Sequence, residues 1–140
     1  MGYSGDVDAA LVSKLLGDGA LMALMPDGVY WDVAASGKKR VVIVKLMSHS
    51  VERMFNARAY ESAIYLVKAV ELSISGTNAK AAGRRIDALL NNGSLGTISG
   101  YLQMNCELDE YVRYAEDDPD NKDARWQHYG GMYAVTVSPT

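Results

Sequence analysis

The stretch Glu61 to Ile74, ESAIYLVKAVELSI, admits two readings. Ala63, Val67, Val70 and Ile74 recur at helical spacing. Ile64, Leu66, Val70, Leu72 and Ile74 also fall on one face of a strand, with only Lys68 interrupting. The residues that follow decide between them. In SISGTNAKAAGRRIDALLNNG, Thr77 or Asn78 can cap a first helical turn, and Asn92 with Gly93 can end the last. On a helical wheel centred on Ile86, the residues Ala79, Ala82, Gly83, Leu89 and Leu90 gather on one side, while Lys80, Arg84 and Asn91 face away. Extending that helix backwards would drive it through Gly76 and a β-branched run, so the stretch reads as a strand feeding a helix.

Outward from this pair the pattern continues. Val7, Leu11 and Leu15 lie four apart behind an acidic first turn, and Gly17 and Gly19 follow, which marks a short amphipathic helix. ALMALMPDG adds about one helical turn and then a Pro26-Asp27-Gly28 turn. VYWDVAA reads as a strand, SGKK as a turn and RVVIVKLMSHSVERM as a second strand, so these two are expected to form a hairpin. TISGYLQMNCELD alternates, with Ile98, Gly100, Leu102, Met104, Cys106 and Leu108 on the apolar side, which predicts an antiparallel sheet covered on one face. An acidic loop, YAEDDPDNKD, precedes a last strand, ARWQHYGGMYAVTV, with a bulge expected at Gly130 and Gly131. The expected fold is α+β: a mainly antiparallel sheet with one long helix packed on one face and a short N-terminal helix, in one domain spanning residues 1–140. Strands of about a dozen residues would span roughly 40 Å, against a diameter of about 37 Å for a compact chain of this length. Strands as long as the globule suit an assembly subunit.

Composition narrows the function. At 49% hydrophobic and 22% charged, the chain can bury a core without a metal or disulfide. Cys106 is the single cysteine, so no intrachain bridge forms and nothing points to an oxidising compartment. MGYSGDVDAA carries no signal-peptide pattern, and Asp6 stands where a myristoylation motif needs Ser or Thr. VVIV and AIYLV are too short to cross a bilayer, so an intracellular product away from membranes is expected. The net charge of −3 argues against general attraction to nucleic acid. The charge is segregated, however: acids crowd between Glu107 and Asp123, while bases cluster at Lys38 to Arg40 and at Arg84 and Arg85.

Catalysis has little to build on. His49 and His128 lie in predicted strands without a metal-ligand or nucleophile motif beside them. A Cys106–His128 dyad is conceivable, but Cys106 falls on the apolar side of its strand, where a buried small hydrophobe is expected. EDDPDNKD lacks EF-hand spacing and reads first as a solvated loop, second as a contact for a basic surface on an identical neighbour. KKR near Tyr30 and Trp31 reads first as a soluble hairpin tip and second as a nucleic-acid patch. Trp126, Tyr129 and Tyr133 serve core packing or a subunit interface.

The element order, with GVYWDVAA, VVIVKLMSHS, AIYLVKAVELSI and NAKAAGRRIDALL, resembles the small tail-completion or tail-terminator-like proteins of long-tailed bacteriophages. The strand YLVKAVEL and the helix carrying Ala82, Ile86, Leu89 and Leu90 carry most of the likeness. The acidic segment before the last strand is a departure from it. The resemblance implies a non-enzymatic virion protein, made in the host cytoplasm, without cofactor or metal. It would form a ring, usually a hexamer, at the head-proximal end of the tail. Its partners would be copies of itself, the tail-tube protein and the head-side connector, with DNA passing through the lumen without specific binding and no membrane involved. Lys38, Lys39, Arg40, Asp117, Asp118, Asp120 and Tyr129 are the expected subunit-interface residues. The rival readings are another neck component, a nucleic-acid-binding module using a sheet face, and a small enzyme built on Cys106 and His128.

Overall fold

The computed structural model describes the backbone of residues 4–54, 57–98 and 100–139, and the side chains of 6–51, 60–98, 100–120 and 122–138. Within these the elements are α1 (Ser4–Leu16), α2 (Gly19–Leu24), β1 (Val29–Trp31), β2 (Arg40–Met54), β3 (Ala57–Ser73), α3 (Thr77–Leu90), β4 (Tyr101–Asp118) and β5 (Asn121–Pro139). The strands form a five-stranded sheet in the order β1-β2-β3-β5-β4.

The stretch opened above is extended up to Ser73 and lies in the central strand, β3, antiparallel to β2 on one side and β5 on the other. Its odd-numbered side chains from Glu61 to Val67 are buried and its even-numbered ones half-buried, the period of two that a sheet covered on one face imposes. The core face is therefore opposite to the Ile64, Leu66, Val70, Leu72 and Ile74 row read from the sequence, and Ile74 is 79% exposed. Gly76 ends the strand in the left-handed region, with φ 67°. It stands at the N-cap of α3 with no side-chain cap, so neither Thr77 nor Asn78 has the expected capping role. Thr77 shares a hydrogen bond with Ser75, and the Asn78 amide donates to Glu71 at 2.7 Å, which ties both to the preceding segment instead. The far end follows the sequence reading. Asn92 is left-handed at φ 60°, and Gly93 N–H donates to the Leu90 carbonyl at 3.1 Å. Ala79, Ala82, Ile86 and Leu90 are the buried face of α3.

Several expectations are corrected. VYWDVAA is not one strand of a hairpin: β1 spans only Val29–Trp31 and pairs parallel to β2, Val29 with Val42. Asp32, left-handed at φ 61°, stops β1, and residues 32–39 run back along the sheet before β2 begins. That return path covers Val41, Ile43 and Val70, which pack with Tyr30, Ala34 and Trp126 on the second face. VVIV is therefore buried on both faces, which is why it reads as a continuous apolar run. The sheet is mixed rather than purely antiparallel, and α1, at 13 residues, nearly equals α3, at 14, so α3 is not the one long helix.

The alternation predicted for TISGYLQMNCELD also fails. Register shifts at Gln103/Asn105 and Leu108/Glu110 insert extra residues into β4, and each one-residue slip exchanges the faces. Tyr101 and Cys106 are thus both buried, while Leu102 and Met104 are 65% and 57% exposed. Ser99 lies outside the described residues. No bulge sits at Gly130 and Gly131, which keep an unbroken register against β3. The acidic segment is no loop either. Most of it belongs to β4 and β5, which turn at residues 119–120, with Asp118 paired to Asn121.

One face of the sheet carries the helices. Val7, Leu11 and Leu15 of α1, Leu21 of α2 and the buried face of α3 pack with Val42, Val44, Tyr65, Val67, Tyr133, Val135 and Cys106. Asp18 organises the helical side. Its carboxylate accepts from Leu21 N–H at 2.9 Å, capping α2, and binds both Nε and Nη2 of Arg85 at 2.7 Å. The Arg85 hydrogen bonds, opposed by desolvation, hold the Asp18 carboxyl at about 2, well below the ordinary 3.8. Asp18→Ala is expected to cost about 2 kcal/mol, cap and bidentate pair together, with the pair discounted because the Arg85 side chain is 40% exposed. Asp18→Asn, which keeps the cap, should recover about half. Because the folded pKa is depressed, this difference is full above the ordinary carboxylate value and fades as pH falls toward about 2. Urea titrations of the two variants at neutral and acid pH check it.

Candidate assembly interfaces

β4 is an outer strand of 18 residues whose second backbone edge pairs with no described strand, although the segment after α3 occupies part of it, Asn92 N–H donating to the Cys106 carbonyl at 2.7 Å and Leu108 N–H to the Asn91 side chain at 3.1 Å. Such an edge is a template for association unless charge or bulges blunt it. It bears four exposed large apolar side chains, Leu102, Met104, Tyr111 and Tyr114, two of them above 60% exposed. At the opposite side, α1 and β1 expose Leu16 and Trp31, which line a shallow recess beside Asp8 and Val12, while Val33 is exposed on the return segment over the helix-free face. Exposed apolar groups thus concentrate on both sides of the sheet.

Between α3 and β4 lies a groove of about 310 Å³, lined by Lys80, Arg84, Asp87, Tyr111, Arg113 and Tyr129, among others. The Arg113 guanidinium lies 5.2 Å from the Tyr129 ring centroid, a cation–π arrangement. Asp87 accepts from Tyr133 O–H at 3.0 Å. Lys80, Arg84 and Arg113 are exposed cations on its walls.

The predicted interface residues are distributed as follows. Asp117, Asp118 and Asp120 sit at the tip of the β4–β5 hairpin. Asp117 pairs with Arg125 at 3.3 Å, and Asp118 accepts from Asp120 N–H at 3.1 Å. Lys38 and Lys39 lie in the segment returning to β2, Lys39 exposed and Lys38 half-buried. The Lys39 and Arg40 backbone N–H groups donate to Asp27, whose carboxyl is lowered by these two bonds. Arg40 is engaged within the chain: its guanidinium donates to the Leu24 carbonyl at the end of α2 and lies 3.7 Å from buried Glu71. Tyr129 is half-buried in the groove. The register Arg40–Glu71–Gln127–Ala115 sets the lysine segment and the acidic tip at the same end of the sheet, and Lys38 lines a cavity on the helix-free face that reaches Glu116, Trp126 and His128. Sequence reasoning missed the apolar edges, because whether Leu102 or Trp31 is covered depends on bulges and a parallel pairing that no local pattern encodes.

The Cys106–His128 dyad is overturned by geometry. Cys106 pairs with Val135, seven residues from His128 along β5, so the two side chains project from opposite faces. Cys106 is buried in the main core, and burial pushes its thiol up to about 12. On the other face His128 is 5% exposed and stacks on Tyr114 with ring centroids 4.1 Å apart. Its Nε2 lies 2.6 Å from Glu116 Oε1 without hydrogen-bond geometry, and Nδ1 has no hydrogen-bond partner. Lys68, which donates to Tyr114 O–H at 2.6 Å, completes the cluster. Burial and then Lys68 lower the His128 pKa below its ordinary 6.5, outweighing Glu116. The unfolded chain therefore takes up a proton before the folded one does, and stability is expected to fall as pH drops below 6.5. His128→Gln should flatten that part of the profile, measured as melting temperature against pH.

No protein-family model and no curated protein sequence matches the chain. Solved structures do. A chain in the virion of a native gene transfer agent particle superposes with a TM-score of 0.70 at 18% identity, covering 96% of both chains. A second solved chain superposes with a TM-score of 0.57 at 14% identity, covering 100% of this chain and 97% of the other. At these identities the likeness is one of fold.

Proposed function

We propose that this chain is a structural protein of a phage-like virion, a single domain over residues 1–140 without catalytic activity. It assembles as a ring, a hexamer by the resemblance, at the head-proximal end of the tail, where it ends tail-tube growth and joins the tail to the head connector. The observation that carries this reading is the fold shared, over almost the whole of both chains, with a chain of the gene transfer agent virion. The outer position of β4, which pairs with no further strand among the described residues, and the apolar groups exposed along it support the reading, since a closed ring repeats one contact between unlike surfaces. A stable contact needs to bury about 1,600 Å². Lys38, Lys39, Arg40, Asp117, Asp118, Asp120 and Tyr129 remain the proposed interface set, with Arg40 acting through the α2 end that it holds. The test is mass photometry and electron microscopy of the purified protein with and without tail tubes. Rings that cap tube ends are expected; a chain that stays monomeric and leaves tube ends unaltered overturns the reading.

A second reading, a nucleic-acid-binding module, is favoured by the groove, where three cations stand beside Tyr111 and Tyr129. It requires salt-sensitive retardation of single-stranded DNA that is lost in Arg84→Glu.

A further inference from the structure

We infer that the acidic tip of the β4–β5 hairpin of one copy docks into the groove between α3 and β4 of the next. The inference rests on the ring reading and adds which two surfaces meet.

The groove is suited to negative charge. Lys80 and Arg84 lie one turn apart on α3, at positions that share a helix face, and Arg113 stands across from them on β4, over the Tyr129 ring. All three are exposed, and among the described residues neither the Lys80 nor the Arg84 side chain has a hydrogen bond or ion pair. Asp87, the carboxylate among the lining residues, already accepts from Tyr133 O–H. A groove of about 310 Å³ with these cations on its walls takes a few acidic side chains.

The tip supplies them. β5 leaves β3 at the Ser73↔Arg125 pair, and beyond it β4 and β5 continue as a ribbon without a third strand, turning at residues 119–120. Between Glu116 and Arg125 five acids stand against Lys122 and Arg125. The Asp117 side chain is 90% exposed, and its pair with Arg125 is a surface contact that contributes little. Asp120 is exposed at the turn.

The occupant is a second copy, because a chain cannot fill its own groove. Arg113 and Asp118 are five residues apart on β4, roughly 17 Å along an extended strand, and β4 stays paired to β5 between them. A long polyanion suits the groove less well. Running on along β4 it would meet Asp117, which shares the Arg113 face, whereas a hairpin tip ends where its charge ends. Reciprocal docking of two copies would lay their acidic ribbons side by side, where like charges repel. One-way docking avoids this. Each copy then has a tip to give and a groove to receive, so the contact of unlike surfaces repeats until it closes.

The test is a charge exchange in the full chain, read by mass photometry at low salt with and without tail tubes. Asp117→Lys with Asp120→Lys reverses the tip and leaves the Asp118 turn bond in place. Lys80→Glu with Arg84→Glu reverses the groove. Each pair alone is expected to weaken assembly by about 100-fold or more, and a chain carrying all four substitutions should assemble again. Melting curves that match wild type show that each chain is folded. Where a curve shifts, cross-linking decides: Asp120→Cys and Arg84→Cys chains, mixed and treated with a short bismaleimide, should give a covalent dimer, since Cys106 is buried. Assembly that persists in either reversed chain, or a four-substitution chain that stays dissociated without a cross-link in the mixture, overturns this contact while leaving the ring reading in place. Single-stranded DNA retardation that Lys80→Glu with Arg84→Glu abolishes, with assembly unchanged, gives the groove to nucleic acid and also overturns it. A wild-type chain that never assembles overturns both.

Discussion

Gly130→Ala is expected to destabilise the protein by more than about 3 kcal/mol, the largest effect of any single methyl addition we foresee in the sheet. A Cβ at this position would collide with the Val67 carbonyl oxygen and stand 2.5 Å from Lys68 Cα. Both obstacles are backbone atoms of β3, the central strand, which is held by β2 on its other side. Relief therefore means separating two strands that pair from Glu61↔Val137 to Ser73↔Arg125. Gly131→Ala is a built-in comparison. Its Cβ would stand 2.6 Å from Leu108 Cδ1, the end of a flexible side chain, and 3.0 Å from the Glu110 carbonyl oxygen. It should cost less, because a leucine rotamer can yield where a strand cannot. Denaturant titrations of the two variants decide the point: equal midpoints would mean that the strands part easily at Gly130.

The second large effect concerns two tyrosines that face each other across β3 and β5. Tyr65 and Tyr133 are directly paired, both fully buried on the helix-covered face. Each hydroxyl reaches a different helix: Tyr65 donates to Asp8 of α1 at 2.5 Å and Tyr133 to Asp87 of α3 at 3.0 Å. Burial first, and then the neighbouring carboxylate, push both phenols above their ordinary value, so both remain donors. Tyr133→Ala should cost about 3–5 kcal/mol through the lost packing and the cavity. Tyr133→Phe should cost only about 1 kcal/mol, because Asp87 is half-buried and can turn to water. Combining Tyr65→Ala with Tyr133→Ala should cost less than the sum, as neighbours that share one cavity couple. Strict additivity in urea titrations would show that the two sites relax independently.

These two sites differ in how far the sequence disclosed them. Tyr65 belongs to a stretch legible as a strand, but it lies on the face opposite to the Ile64, Leu66 and Leu72 row that the pattern marked as apolar, while its neighbour α3 was legible from the wheel around Ile86. The close approach at Gly130 was not legible. A glycine pair in a strand signals a bulge as readily as crowding, and only the position of Val67 separates them. The register shifts lie elsewhere, in β4 at Met104 and Asp109 and in β2 at Met47, where nothing local announces an extra residue. The candidate interface divides similarly. Segregation of acids and bases was visible, but the commitment of Arg40 and Arg85 to contacts within the chain was not, because their partners are 16 and 67 residues away.

Local chemistry alone determined the strand-to-helix unit from Glu61 onward, the N-terminal helix and the separation of charge along the chain. Those features depend on side-chain period and turn residues, which act over a few positions. Tertiary structure alone decided the parallel pairing of β1, the slips in β4, the opposite facing of Cys106 and His128, and the placing of Lys38 and Asp118 at one end of the sheet. Each is a matter of register between distant segments, and register is set by which surfaces can be buried together once the chain has folded.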